Sequence, residues 1–195
     1  MEFFFTYLQL GLQHILDWQA MDHLLFIVSF TVLYTFANLK QSLLLVTAFT
    51  LGHSLTLALA TLQLVEVPAA WVEFLIPVTI CLSALKNLNF EYILPSKRNT
   101  DWKSYALIAG FGLVHGLGFS NYLQSLLGKE QNIFLPLLAF NLGLELAQLL
   151  VVILLLLLIS ILVNGLKVHQ KSIVILGSGI IIGNVLPMLW DRWPF

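Results

Sequence analysis

Apolar runs of about twenty residues, separated by short polar breaks, set the rhythm of this chain. A helix rising ~1.5 Å per residue needs roughly 20 apolar residues to cross a bilayer's hydrocarbon core. Six segments have that character: 21–38, 42–64, 69–90, 104–127, 132–163 and 172–190. The breaks between them are polar or turn-forming: "NLKQ", "VEVPA" with its proline, "EYILPSKRNTDWK", "GKEQN" and "NGLKVHQK". The fifth segment, with "LLVVILLLLLISILV", is long enough to tilt or to project beyond the lipid. Residues 3–20 are shorter and more mixed, and read as an amphipathic or re-entrant helix packed against the bundle. The pattern predicts an all-α polytopic membrane protein. It has six transmembrane helices plus that short N-terminal helix, in a single domain over residues 1–195.

Composition strengthens this reading. The chain is 59% hydrophobic and 10% charged, against about a quarter charged in soluble domains. Its mean hydropathy is +0.92. The solvent for most of its surface is therefore lipid. The formal net charge of −1 comes without any basic stripe, so nucleic acid is not an expected partner. The lone Cys81 rules out an internal disulfide framework and a Cys-cluster metal site. The N-terminus "MEFFFTYLQLGLQHIL" lacks a basic n-region and a small-residue cleavage site, and is read as part of the mature protein. Loops after segments one, three and five hold Lys40, Lys86, Lys97, Arg98, Lys103, Lys167 and Lys171, whereas the opposite side holds Lys129 and Arg192. The positive-inside rule then puts both termini outside the cytoplasmic (inner) membrane.

Against this background, ionisable residues at bilayer depth stand out. They are costly there and persist where they meet partners, water or a ligand. Here they are Asp22, His23, His53, Glu73, His115 and Glu145, with Asn141 and Gln148 as neutral companions. His14 and Asp17, three apart, share one helix face near the outer boundary. Counting residues along the segments puts His53, His115, Asn141 and Glu145 near mid-bilayer, so a track of imidazoles and carboxylates runs inward from the outer surface. Imidazole plus carboxylate without thiolate suits divalent nickel, cobalt, zinc, iron or manganese. The same groups could relay protons. Singly, His53 or His115 could equally be hydrogen-bonding links between helices, and Glu73 a wetted interfacial residue. His169, between Lys167 and Lys171, reads as a solvated loop residue. Glycines at a spacing of four, Gly112 and Gly116 around His115 and Gly179 with Gly183, suit close helix approach rather than a nucleotide loop.

The blocks "HILDWQAMDHLLF", "TAFTLGHSLTLALA", "FLIPVTICLSALKNL", "GFGLVHGLGFS" and "FNLGLELAQL" resemble, in that order, the HupE/UreJ family over about residues 7–190. The resemblance implies a six-helix membrane protein of the nickel-permease or nickel-delivery accessory kind. Its metal-associated motif, a His followed by an Asp-His pair, resembles His14, Asp22 and His23. The later motifs match His53, His115 and Glu145. The spacing from His14 to Asp22 is wider than in the nickel-permease members.

The expectation is a secondary permease or facilitator for a divalent metal ion, nickel or similar, with zinc and cobalt also admissible. His14, Asp17, Asp22 and His23 would capture the ion outside. His53, His115, Glu145 and Asn141 would form the mid-membrane site, with Gln148, Glu73 and Ser54 in support. The alternatives are an intramembrane zinc hydrolase using the same His and Asp residues with Ser54, or a non-transporting accessory protein. Association into a homo-oligomer is left open.

Overall fold

In a computed structural model of the protein, residues 2–17, 21–89, 101–127 and 133–195 are described. In chain order the helices are α1 (Glu2–Leu16), α2 (Asp22–Thr31), a short 3-10 turn (Phe36–Asn38), α3 (Leu39–Thr61), α4 (Ala69–Asn87), α5 (Trp102–Gly118), α6 (Ser120–Leu127), α7 (Phe134–Ser160), a π-turn (Ile161–Gly165) and α8 (Gln170–Asp191). The all-helical class is as expected. Lys97, Arg98 and Lys129, used for orientation, lie outside the described residues, as do the ends of the expected spans at 90 and 132.

The span count differs. Among the described residues, four helical stretches are long and apolar enough to cross a membrane: Phe36–Thr61, Ala69–Asn87, Phe134–Gly165 and Gln170–Asp191. A fifth arises if α5 and α6, bent by 47° at Phe119, are one broken span. The expected first span, 21–38, is instead the ten-residue α2, a turn and the 3-10 segment. The helix ends at Thr31, and Thr35 beyond it is extended (φ −118, ψ 176). The backbone N–H of Phe36 then donates to Ser160 Oγ of α7 at 2.8 Å. A local interruption is tolerable at membrane depth where protein side chains satisfy the freed backbone.

The bundle is apolar on its outside. Leu51, Leu154 and Leu176 are each more than half exposed, and polar side chains such as His53, Gln148, Ser29 and Ser178 are buried. That inversion of a soluble protein's pattern follows when lipid is the solvent, because an outward leucine then costs nothing. This is a membrane protein.

Two helix pairs approach to backbone contact. On α3 and α5, Gly52 faces Ala109, Gly112 faces Phe49, and Gly116 faces His53, so a Cβ at any of the three would overlap a carbonyl. Thr56 Oγ1 adds an interhelical hydrogen bond to the Leu113 carbonyl at 2.7 Å. On α1 and α7, Gly11 meets Phe140 and Leu144, while Gly143 meets Leu8 and Leu12. The N-terminal helix thus lies along α7 with Tyr7, Gly11 and Ile15, at i, i+4 and i+8, as its buried stripe. Packing was expected for this segment, and glycine contact is how it is achieved.

Candidate functional site

Each close pair carries histidine beside its glycines: His14 three residues after Gly11, His53 next to Gly52, and His115 between Gly112 and Gly116. His23 comes from the first turn of α2. Ring centroids of His14 and His23 are 4.6 Å apart, His23 and His115 5.4 Å, His23 and His53 5.8 Å, and His14 and His53 6.4 Å. Four imidazoles from four helices therefore meet in one cluster. His53 stands about 12 Å along the axis from the Thr61 end of α3 and about 21 Å from its Leu39 end.

The polar atoms of this cluster are unusually unsatisfied. Nε2 of His14, His23, His53 and His115, and Nδ1 of His53, are buried without a hydrogen-bond partner among the described residues. An orphaned buried polar group costs about 1–3 kcal/mol, so several together in one place call for a partner such as water or a bound ion. The other nitrogen of His115, Nδ1, is held at 2.9 Å from the Phe111 carbonyl. A carbonyl can only accept, so Nδ1 carries the proton and Nε2 presents its lone pair, the arrangement found in metal-ligating histidines. Among the described residues, no three His, Cys, Asp or Glu side chains already stand in ligating positions around one point. The rings must turn about their side-chain torsions to share an ion.

Aromatic rings enclose the cluster. Phe26 and Phe49, both fully buried, lie 5.1 and 5.2 Å from the His115 ring. On another side Phe119 sits 4.1 Å from His14 and stacks on Phe140 at 4.8 Å with an 11° interplanar angle. None of these was singled out from the sequence. Their signal was helical spacing, since Phe49 precedes His53 by four and Phe119 follows His115 by four. Phe119 occupies the break between α5 and α6. Its neighbours Leu117, Gly118, Ser120 and Asn121 line a cavity of about 620 Å³ at the Thr61 end of α3, which Glu66 and Glu73 also line.

The remaining expected residues are distributed differently from the expected two-stage track. His14 and His23 join His53 and His115 instead of forming a separate outer station. Glu145 is not in the cluster: it accepts a hydrogen bond from Thr47 Oγ1 at 2.8 Å, about 9 Å down α3 from His53. Gln148 accepts from Thr50 Oγ1 at 2.8 Å and leaves its Nε2 buried and unpartnered. Asn141 donates to the Leu137 carbonyl of its own helix, with Oδ1 buried and unpartnered among the described residues. Glu73 is exposed on the cavity at the Thr61 end of α3, Ser54 is half-buried beside His53, and Asp17 is exposed at the end of α1 within electrostatic reach of His14. Asp22 forms an ion pair with Arg192 at 2.9 Å. That partner was not foreseen, because it lies 170 residues away along the chain.

The family model described as "HupE / UreJ protein" matches residues 1–191. Neither the curated proteins nor the solved structures contain a match. The chain belongs to the HupE/UreJ family, which is associated with nickel or cobalt transport or with accessory roles.

Proposed function

We propose that this HupE/UreJ protein is a secondary permease or facilitator for a divalent transition-metal ion, nickel or similar, with the four-histidine cluster as the point of passage. The observation that carries the reading is the convergence of His14, His23, His53 and His115 with their Nε2 atoms buried and unpartnered. Neutral imidazole nitrogens replace part of the hydration shell of a borderline ion, and the surrounding Phe rings keep competing water away. Because the rings are near one another without forming a finished chelate, ligation is loose. Loose ligation suits cargo that must leave again, as conduction sites require.

In this reading the ion arrives from the outer cavity, where Glu66 and Glu73 attract cations, and continues along α3 toward Glu145 and Gln148. The driving force is electrical: two charges moving inward across ~100 mV release about 4.6 kcal/mol. Both termini outside the cytoplasmic membrane, from the positive-inside distribution, is the orientation that fits. The test is uptake of radiolabelled nickel and cobalt into proteoliposomes by wild type, His53→Ala and His115→Ala. The variants should fold and lose uptake. Full uptake by both rules out the histidine route, and no uptake by wild type rules out permeation.

A further inference from the structure

Among the described residues two carboxylates act on the cluster: Asp17, exposed, on His14, and Asp22, ion-paired with Arg192, on His115. Asp22 opens α2, one residue before His23, and acts electrostatically on His115. One carboxylate oxygen, Oδ2, takes the Arg192 guanidinium at 2.9 Å, while the other, Oδ1, is buried and without a hydrogen-bond partner among the described residues. The Asp22 side chain is 16% exposed and that of Arg192 is 32% exposed. Arg192 sits just past the end of α8, where the helix has terminated. Arg192 is thus the more solvent-exposed member of the pair.

We propose that Arg192 is a resident counter-ion which competes with the cation cargo for Asp22, and so sets how tightly the histidine cluster holds its ion. This inference rests on the permease reading. With no cargo, the neutral imidazoles, the Asp22 carboxylate and the Arg192 guanidinium sum to zero charge, which a low-dielectric site requires. A divalent ion brings two positive charges beside a third. The guanidinium then withdraws toward the aqueous end of α8, and Asp22 turns its unpartnered oxygen toward the ion. When the ion leaves, Arg192 returns and refills the charge deficit. The tether makes release favourable, because the carboxylate is never left unpaired. An ion pair serving only to join α2 to α8 does not need a partly exposed cation, nor a second carboxylate oxygen buried without a partner among the described residues.

The two roles give opposite signs. If Arg192 merely braces the fold, removing its charge leaves nickel affinity unchanged or weakens it. If it competes, removal tightens binding. The experiment is calorimetric titration of Ni²⁺ into the purified full-length protein in nanodiscs, for wild type, Arg192→Gln, Arg192→Lys and Asp22→Asn. Arg192→Gln should lower Kd by about tenfold, the effect of one charge acting over roughly 12 Å at an effective dielectric of about 20, and slow nickel release from loaded protein. Arg192→Lys, which keeps the charge, should bind as wild type does, and Asp22→Asn should bind more weakly. Unchanged or weaker binding by Arg192→Gln overturns the competition, as does tightening by Arg192→Lys equal to that by Arg192→Gln. Should Arg192→Gln not fold, Arg192→Lys and Asp22→Asn still decide: a lysine variant that departs from wild type, or an asparagine variant that binds equally well, overturns it. Absence of nickel binding by wild type overturns the permease reading, and this inference with it.

Discussion

A single methyl group on α5 separates helix packing from site chemistry. In Gly112→Ala the new Cβ would lie 3.0 Å from His53 N and 3.0 Å from Phe49 C, and would overlap the Phe49 carbonyl oxygen outright. All three atoms are backbone, so no side chain can rotate aside. Helices α3 and α5 must part by roughly 1 Å to restore ordinary contact, since a close-packed interior holds no spare volume. His53 and His115 ride on those two helices, so the cluster opens by a similar amount. Overpacking of this kind costs about 1–3 kcal/mol, and a displacement of ~1 Å at a positioned site can cost about 100-fold in rate. Gly110 provides the control on the same helix, because a Cβ there meets nothing within 4 Å. Gly110→Ala should transport as wild type does and gain roughly 0.5–1 kcal/mol in helix stability. Nickel flux into proteoliposomes and thermal unfolding in detergent measure both effects. Equal flux in Gly112→Ala and wild type, with the fold intact, would refute the claim that glycine contact positions the histidines. A loss in Gly110→Ala matching that in Gly112→Ala would do the same.

Two further outcomes follow from other parts of the molecule. Phe119→Leu removes the ring that packs 4.1 Å from His14, at a position flanked by the cavity-lining Gly118 and Ser120, so modification of His14 by diethyl pyrocarbonate should accelerate several-fold, and an unchanged rate would mean that the ring does not shield His14. Outside the membrane, Asp101 caps α5 by accepting from Ser104 N at 3.0 Å and Ser104 Oγ at 2.8 Å, and these bonds, the side-chain one first, hold its carboxyl below the ordinary 3.8. A depressed folded pKa means that the cap contributes fully above pH 3.8 and fades as pH falls through the lower folded value. Asp101→Ala should erase that pH dependence of thermal unfolding in detergent, and an Asp101→Ala curve parallel to wild type would refute it.

Much of the architecture was legible in the chain because lipid imposes a one-dimensional rule. Apolar length alone located α3, α4, α7 and α8 to within a few residues of their observed bounds. The same rule took 21–38 for one span, where the helix stops at Thr31, and did not show that 104–127 is bent by 47° between α5 and α6. Hydropathy counts apolar residues but is blind to a backbone that turns at Thr35 or bends at Phe119, where other parts of the protein take over the contacts. The candidate residues were likewise legible as types, since a buried imidazole is conspicuous in so apolar a sequence. Their grouping was not. Depth counting strung His14 and His23 above His53 and His115, whereas the α1–α7 and α3–α5 glycine contacts draw all four rings together. Nor could spacing reveal that Asp22 faces Arg192 or that Glu145 faces Thr47. Periodicity along one helix reports which side chains share a face. Which faces meet depends on how closely separate helices approach, and only the folded bundle decides that.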